Sequence, residues 1–242
     1  MAGNTSQPIV ILGGFLSPGT IYTGMRQALA AHSGQPVTVV DTQVYDWLPS
    51  VSLVGWAVLL MKLDRTVRRA AQDSATGKVT LVGHSAGGVL ARIYLSPEPF
   101  LGRRYAGLER VTHLITLGSP HHNQGGLRRG GRMSRWADTH YPGAAFSPPV
   151  AYTSVAGKLS RGDPKGLPGA QWASRVYREI CGDGEAWGDG LVPVPSALLS
   201  GSRQIVLDGV SHYSLFGARW YGSPEVLPVW WDSAAGDGSV TG

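Results

Sequence analysis

Lys78-Val-Thr-Leu-Val-Gly-His-Ser85-Ala-Gly-Gly88 is the stretch that decides how the rest of this 242-residue chain is read. Val79 to Val82 is a short apolar run rich in β-branched residues, which marks a buried strand. Gly83-His84-Ser85-Ala86-Gly87 follows at once in the pattern G-x-S-x-G. Val89, Leu90, Ile93 and Tyr94 then recur at helical spacing. Strand, sharp turn and helix in that order lift the Ser85 hydroxyl to the apex of a strained turn. The first amides of the helix then point at whatever the hydroxyl attacks. Gly83 and Gly87 admit neighbouring chain where a Cβ would clash, and Gly88 lets the helix lie close on its sheet. A plain glycine-rich turn that happens to contain serine looks the same in isolation, so the remaining chain must discriminate.

Working outward, Pro8 to Leu12 is a strand buried on both faces, Gly13 to Gly19 a loop, and Ile21 to Ala31 a helix. Val37 to Val40 is the next strand, and a long helix runs from Val54 to Ala71. Beyond the central stretch come strands at Val111 to Leu117, Ala151 to Ala156 and Arg203 to Leu207, the last followed by a helix near Tyr213. Alternating strands and helices predict an α/β fold: a mostly parallel sheet covered by helices on both faces, with ligands beyond the carboxyl ends of its strands. Residues 1–232 are expected to form one domain. The irregular Gly-, Arg-, Ser- and Pro-rich segments at about 121–150 and 157–185 are expected as loop or cap insertions over the cleft. Residues 233–242 are small and polar, and are expected to be a disordered tail.

Composition narrows the function classes. Lys and Arg exceed Asp and Glu by 21 to 16, a formal charge of +5. The clearest basic cluster, Arg128, Arg129, Arg132 and Arg135, has no aromatic ladder or DNA-reading motif with it. It reads as a solvated loop, with attraction to acidic lipid headgroups as a minor alternative, and no nucleic-acid partner is expected. The single cysteine, Cys181, excludes an intrachain disulfide. The first eight residues lack the basic head and apolar core of a signal peptide, and Trp47 to Met61 is too short and broken to span a membrane. The expected location is the cytoplasm.

A serine hydroxyl needs a positioned base, and the base needs a partner that fixes its tautomer. After a strand-turn-helix nucleophile the partners follow in the order acid, then histidine. Of His113, His121, His122, His140 and His212, only His212 follows the last strand. Three aspartates can supply the acid: Asp189 in Gly188-Asp-Gly-Leu-Val-Pro193, Asp183 between two glycines, and Asp208 four residues before His212. Donors for a developing oxyanion are expected from the Ala86 amide and from the loop after the first strand, with Phe15 first and Leu16 second. His84 reads as a packed or hydrogen-bonded neighbour, and His121 and His122 as residues of the pocket rim. Adjacent histidines do not face one another as metal ligands on a regular element, so no metal or cofactor is expected.

Ile-Leu-Gly13-Gly-Phe15, Gly-His-Ser85-Ala-Gly-Gly, Leu117-Gly-Ser-Pro-His121, Gly188-Asp189-Gly-Leu-Val-Pro and Val210-Ser-His212-Tyr together resemble the α/β-hydrolase superfamily. The likeness is to its small lipase-like serine esterases of bacterial and cyanobacterial or plastid type, and it extends from Pro8 to about Trp231. The resemblance implies an α/β-hydrolase fold and favours Asp189 as the acid of a Ser85-His212-Asp189 triad. It also implies hydrolysis of a small-molecule or lipid carboxylic ester through an acyl-serine. Family lipases carry His-Gly before the oxyanion residue, where this chain has Gly13-Gly14. A slow or non-catalytic receptor, or an acyltransferase, would carry the same pattern. Leu16, Trp47, Trp56 and His121 are the expected substrate-pocket residues, and the apolar stretch around Trp47 to Met61 suits either core packing or a transient lipid contact.

Overall fold

The computed structural model describes residues 7–125, 131–214 and 219–235. Its elements follow the chain from β1 (Ile9–Leu12), through a short 3-10 turn at Gly19–Tyr22, to α1 (Thr23–Ser33) and β2 (Val37–Val39). A short α2 (Val44–Trp47) and a 3-10 turn at Leu48–Val51 lead into α3 (Leu53–Gln72), which Ser52 caps by accepting the Gly55 amide at 3.3 Å. Then come β3 (Val79–His84), α4 (Ala86–Leu95), β4 (Val111–Leu117), α5 (Gly131–His140), β5 (Ala151–Lys158) and β6 (Ser160–Arg161). The chain closes with α6 (Pro168–Cys181), β7 (Trp187–Gly188), α7 (Val194–Ala197), β8 (Arg203–Asp208) and α8 (Leu227–Ala235).

Six strands form one parallel sheet in the order β2-β1-β3-β4-β5-β8. Every residue of β1 and β3 is buried, yet their side chains still alternate between faces, as the strand period of two requires. Val10, Leu12 and Leu81 join a core with Trp56, Leu59, Leu60 and Leu63 of α3 and with Val89 and Leu90 of α4. Ile9, Ile11 and Val82 face the opposite way, onto Met25 and Leu29 of α1 and Trp230 of α8. The chain runs outward from β1 to β2, then returns to the other side of β1 for β3. The sheet order therefore reverses between β1 and β3, and a crevice opens at their carboxyl ends. The loop at residues 13–16 and Ser85 leave the sheet there.

Several local expectations are corrected. Helices α5 and α6 fill much of the segments read as irregular. α6 starts with Pro168 in its first turn and stops at Gly182, whose φ of +82° suits glycine alone. No helix stands at Tyr213: Ser211 forms an isolated bridge with Trp220, residues 212–214 are bends and irregular chain, 215–218 lie outside the described residues, and α8 begins only at Leu227. Ser233 and Ala234, expected to open a disordered tail, continue α8 because Trp230 and Ala234 bury one face of it; residues 236–242 lie outside the described residues. Arg132 and Arg135 stand on α5 rather than in a loop, while Arg128 and Arg129 lie outside the described residues. Among the described residues, no helix is long and apolar enough to cross a membrane.

Candidate active site

Ser85 stands between the last residue of β3 and the first of α4, with φ +55° and ψ −131°. A side-chain-bearing residue adopts that conformation only where its surroundings impose it. Its amide donates to the Leu117 carbonyl at 2.9 Å, and its carbonyl accepts the Gly88 amide at 3.1 Å. Glycines make the fit possible: a Cβ on Gly83 would lie 2.5 Å from Gly88 Cα, and one on Gly14 2.6 Å from Ser85 Cβ. A Cβ on Gly87 would lie 2.4 Å from the Gly13 carbonyl oxygen, so the turn, the helix and the loop after β1 touch backbone to backbone.

His212 reaches the same point from the loop after β8. Its Nε2 is 2.9 Å from Ser85 Oγ and its Nδ1 is 2.7 Å from Asp189 Oδ2. Its amide also donates to the Asp189 carbonyl at 2.9 Å, so the two residues are joined through backbone as well. Asp189 follows β7, which pairs antiparallel with β6 where the chain leaves β5. Its Oδ1 accepts the amides of Leu191 (3.0 Å) and Val192 (2.7 Å), and its Oδ2 accepts the Tyr221 hydroxyl (2.8 Å). With His212 that makes four donors on a carboxylate that is 2% exposed, the condition under which a charge can be buried. A carboxylate oxygen accepts here, so Nδ1 carries a hydrogen, and Nε2 is the ring nitrogen that faces the Ser85 hydroxyl. Such a chain can take a proton from Oγ as it attacks an electrophilic carbon.

A cavity of about 290 Å³ opens beside Ser85. Phe15 and Trp47, edge to face at 6.1 Å, form one wall; Met133 of α5, Ile180 of α6, Leu191 and Val192 form others. Two further lining residues are joined, Arg132 donating to the Val51 carbonyl at 3.1 Å. The lining is mostly apolar, with the Ser85 and Ala86 turn at one end, the pattern of a site that holds a hydrocarbon group against a few polar atoms.

The fold is similar to that of solved structures. The mature form of the Bacillus licheniformis lipase BlEst2 aligns with a TM-score of 0.66 at 19% identity, over 97% of this chain and 94% of that one. The propeptide form of the same lipase aligns at 0.63 and 18% identity, over 97% of this chain and 51% of that one. The chain has an α/β-hydrolase fold. Residues 53–127, from α3 through Ser85 and α4 to just past β4, match the family model of the PGAP1-like alpha/beta domain. No curated protein matches the chain by sequence.

Within the α/β-hydrolase fold, the residues singled out from sequence separate into two groups. Ser85, Asp189 and His212 meet, and Phe15, Ala86 and Trp47 line the cavity beside them. Trp56 does not reach it: the ring is fully buried in the α3 core, stacks on Phe100 and donates its indole N–H to the Ser50 carbonyl. His121 is also fully buried, bonded to Thr116 Oγ1 at 3.0 Å and Arg92 at 3.4 Å, so it ties the loop after β4 to β4 and α4. Leu16, at φ +56°, is 39% exposed and is not among the lining residues. Asp183 is exposed and takes the Glu185 amide at 2.8 Å in a local turn, and exposed Asp208 pairs with Lys158 at 3.3 Å. Three participants were not foreseen: Tyr221, which braces Asp189; Tyr177, whose hydroxyl takes the Gly190 amide at 2.8 Å; and Tyr22, which takes that of Gly14 at 2.9 Å. Nothing in their sequence neighbourhood distinguishes them from core tyrosines. Burial pushes the Tyr177 hydroxyl up to about 12, so it stays a neutral partner. Among the described residues no group of metal-ligating side chains is present.

Proposed function

We propose that this chain is a serine hydrolase of carboxylic esters, with Ser85 as nucleophile, His212 as general base and then acid, and Asp189 as the acid that orients it. The observation that carries the reading is the unbroken line Ser85 Oγ, His212 Nε2, His212 Nδ1, Asp189 Oδ2 at 2.9 and 2.7 Å beside an apolar cavity. Ser85 Oγ attacks the ester carbonyl carbon and passes its proton to Nε2. The oxyanion that forms accepts the Phe15 and Ala86 amides. As the carbon–oxygen ester bond breaks, His212 returns the proton to the leaving alkoxide, which departs as alcohol. Water then adds to the acyl-serine by the same steps, releasing the carboxylic acid and restoring Ser85. The apolar walls suit the acyl group, and the similarity to a protein described as a lipase favours esters over other acyl compounds.

A fluorophosphonate probe tests the reading. Labelling of the wild type that disappears in Ser85→Ala, with hydrolysis of p-nitrophenyl esters lost alongside it, is the expected result. Absence of labelling and turnover in the wild type would overturn it. Activity profiled from acetyl to palmitoyl esters, below and above the micellar threshold, then separates esterase from lipase.

A further inference from the structure

A second line of buried hydrogen bonds runs behind Ser85, through groups that the proposed chemistry does not use. The Gly14 amide lies 2.9 Å from the Tyr22 hydroxyl oxygen, that oxygen lies 2.8 Å from His84 Nδ1, and His84 Nε2 lies 3.1 Å from the His212 carbonyl oxygen. Only one arrangement of protons satisfies all three. A carbonyl oxygen accepts, so Nε2 carries a hydrogen. The His84 ring is wholly buried, and burial, with the neighbouring His212, holds its pKa well below the usual histidine range. It is therefore neutral, and Nδ1 is bare. Tyr22 must donate its proton to Nδ1, and its oxygen then accepts the Gly14 amide. Aromatic rings pack around the imidazole, with centroids at 4.7 Å for His212, 5.2 Å for Tyr213, 5.7 Å for Tyr22 and 5.8 Å for Trp220. A Cβ on Gly13 would stand 2.5 Å from the Tyr22 ring, so the loop reaches this hydroxyl only because residue 13 has no side chain.

The two ends of this line matter. One is the peptide that leads into the Phe15 amide; the other is the backbone of His212. Between them sits the residue directly before Ser85. We propose that Tyr22 and His84 are positioning residues that hold the Gly14–Phe15 donor loop and the His212 backbone in register with Ser85. This rests on the ester-hydrolase reading. A core that needed only bulk at these places would be satisfied by phenylalanine and leucine. Burying a phenol and an imidazole is favourable only when each polar atom is paired, and here each pairing ends on a segment that the reaction needs held still.

Tyr22→Phe removes one oxygen and leaves the ring, which makes it the primary test. The expected result is a fall of about tenfold to a hundredfold in kcat, the scale of a small misplacement of reacting groups. KM should stay within about twofold, and fluorophosphonate labelling should slow by the same factor as kcat. His84→Gln places an amide near Nε2, retaining the bond to His212 but losing that to Tyr22. Adding Tyr22→Phe to it should therefore cost much less than in the wild type. A Tyr22→Phe enzyme with wild-type kcat, or one changed only in melting temperature, overturns the proposal while leaving the hydrolase reading intact. A wild type that neither labels nor turns over ester ends both. Histidine ring NMR of the wild type adds a check independent of any variant: His84 must be the Nε2–H tautomer with a slowly exchanging ring proton, and an Nδ1–H tautomer overturns the relay.

Discussion

Gly118 and Asp189 leave no room for a methyl group between them. A Cβ on Gly118 would stand 2.6 Å from Oδ2 of Asp189 and 2.7 Å from the Tyr221 hydroxyl, on a backbone at φ +53°. Gly118→Ala should therefore cost about 1–2 kcal/mol for the left-handed backbone alone. It should also push the carboxylate off His212. Thermal melting would report the first effect, and a drop in kcat well beyond the stability loss would report the second; unchanged kcat would mean that the carboxylate position is not limiting.

The two candidate acids predict opposite phenotypes. Asp189→Asn keeps the shape but replaces one acceptor oxygen with a donor, which disfavours the Nδ1–H tautomer of His212. The expected loss in kcat is on the order of 10⁴-fold. Asp183→Asn touches an exposed local turn and should leave ester turnover near wild type. Reversed outcomes in parallel kinetics would move the acid to residue 183.

Backbone strain at Ser85 has its own signature. Its φ of +55° is a conformation that glycine adopts freely and alanine does not. Ser85→Gly should stabilise the chain by about 1 kcal/mol net, after the extra unfolded-state freedom of glycine is subtracted. That corresponds to a rise of roughly 2–4 °C in Tm for a chain of this size. Ser85→Ala should give no comparable gain. Equal melting temperatures for the two variants would mean that the turn carries no strain.

Acid should weaken the fold through two histidines. Burial holds the pKa values of His84 and His121 well below the 6.5 of a free imidazole, with His212 adding to the effect at His84 and Arg92 at His121. Below pH 6.5 the unfolded chain binds protons that the folded chain refuses. Both groups thus contribute in full above that pH and progressively less beneath it, with a slope approaching about 1.4 kcal/mol per pH unit for each. Urea midpoints measured between about pH 7.5 and pH 5.5 should fall accordingly, and His121→Asn should flatten part of the decline. A level profile would contradict neutral burial of these rings.

Chain-length preference should follow the cavity walls. Met133 and Ile180 line the space beside Ser85 from α5 and α6. Truncating either to alanine should raise kcat/KM for longer acyl esters relative to short ones, by roughly tenfold where a methylene gains a contact. An unshifted profile in both variants would place the acyl group elsewhere.

The sequence spoke most clearly where geometry demands glycine or a long apolar period. β3, Ser85 and α4 were legible because Gly83, Gly87 and Gly88 each answer to a close approach, and α3 because its apolar face runs for 20 residues. The position of His212 beside Ser85 was legible from its place after the last strand of the sheet. Which carboxylate meets His212 was open between three aspartates because the anchorage of Asp189 is invisible at the level of pattern: β7 is two residues long, and Tyr221 arrives from 32 positions away. α6 carried readable signals in Pro168, Gly182 and the spacing of Ala173, Val176, Tyr177 and Ile180, but its glycine-rich surroundings hid them. Trp56 misled because an amphipathic helix offers the same residues to a core and to a rim, and only the sheet beneath α3 decided between them.

Asp189 hangs from a bracket of two residue pairs, Ser160 with Gly188 and Arg161 with Trp187, outside the six-stranded sheet. Strand side chains face alternate sides, so lengthening that bracket by two residues keeps the carboxylate facing inward, whereas adding one turns it away. The serine, wedged among glycines, has no comparable latitude. Anyone rebuilding this scaffold for another task would find Asp189 transplantable and Ser85 fixed.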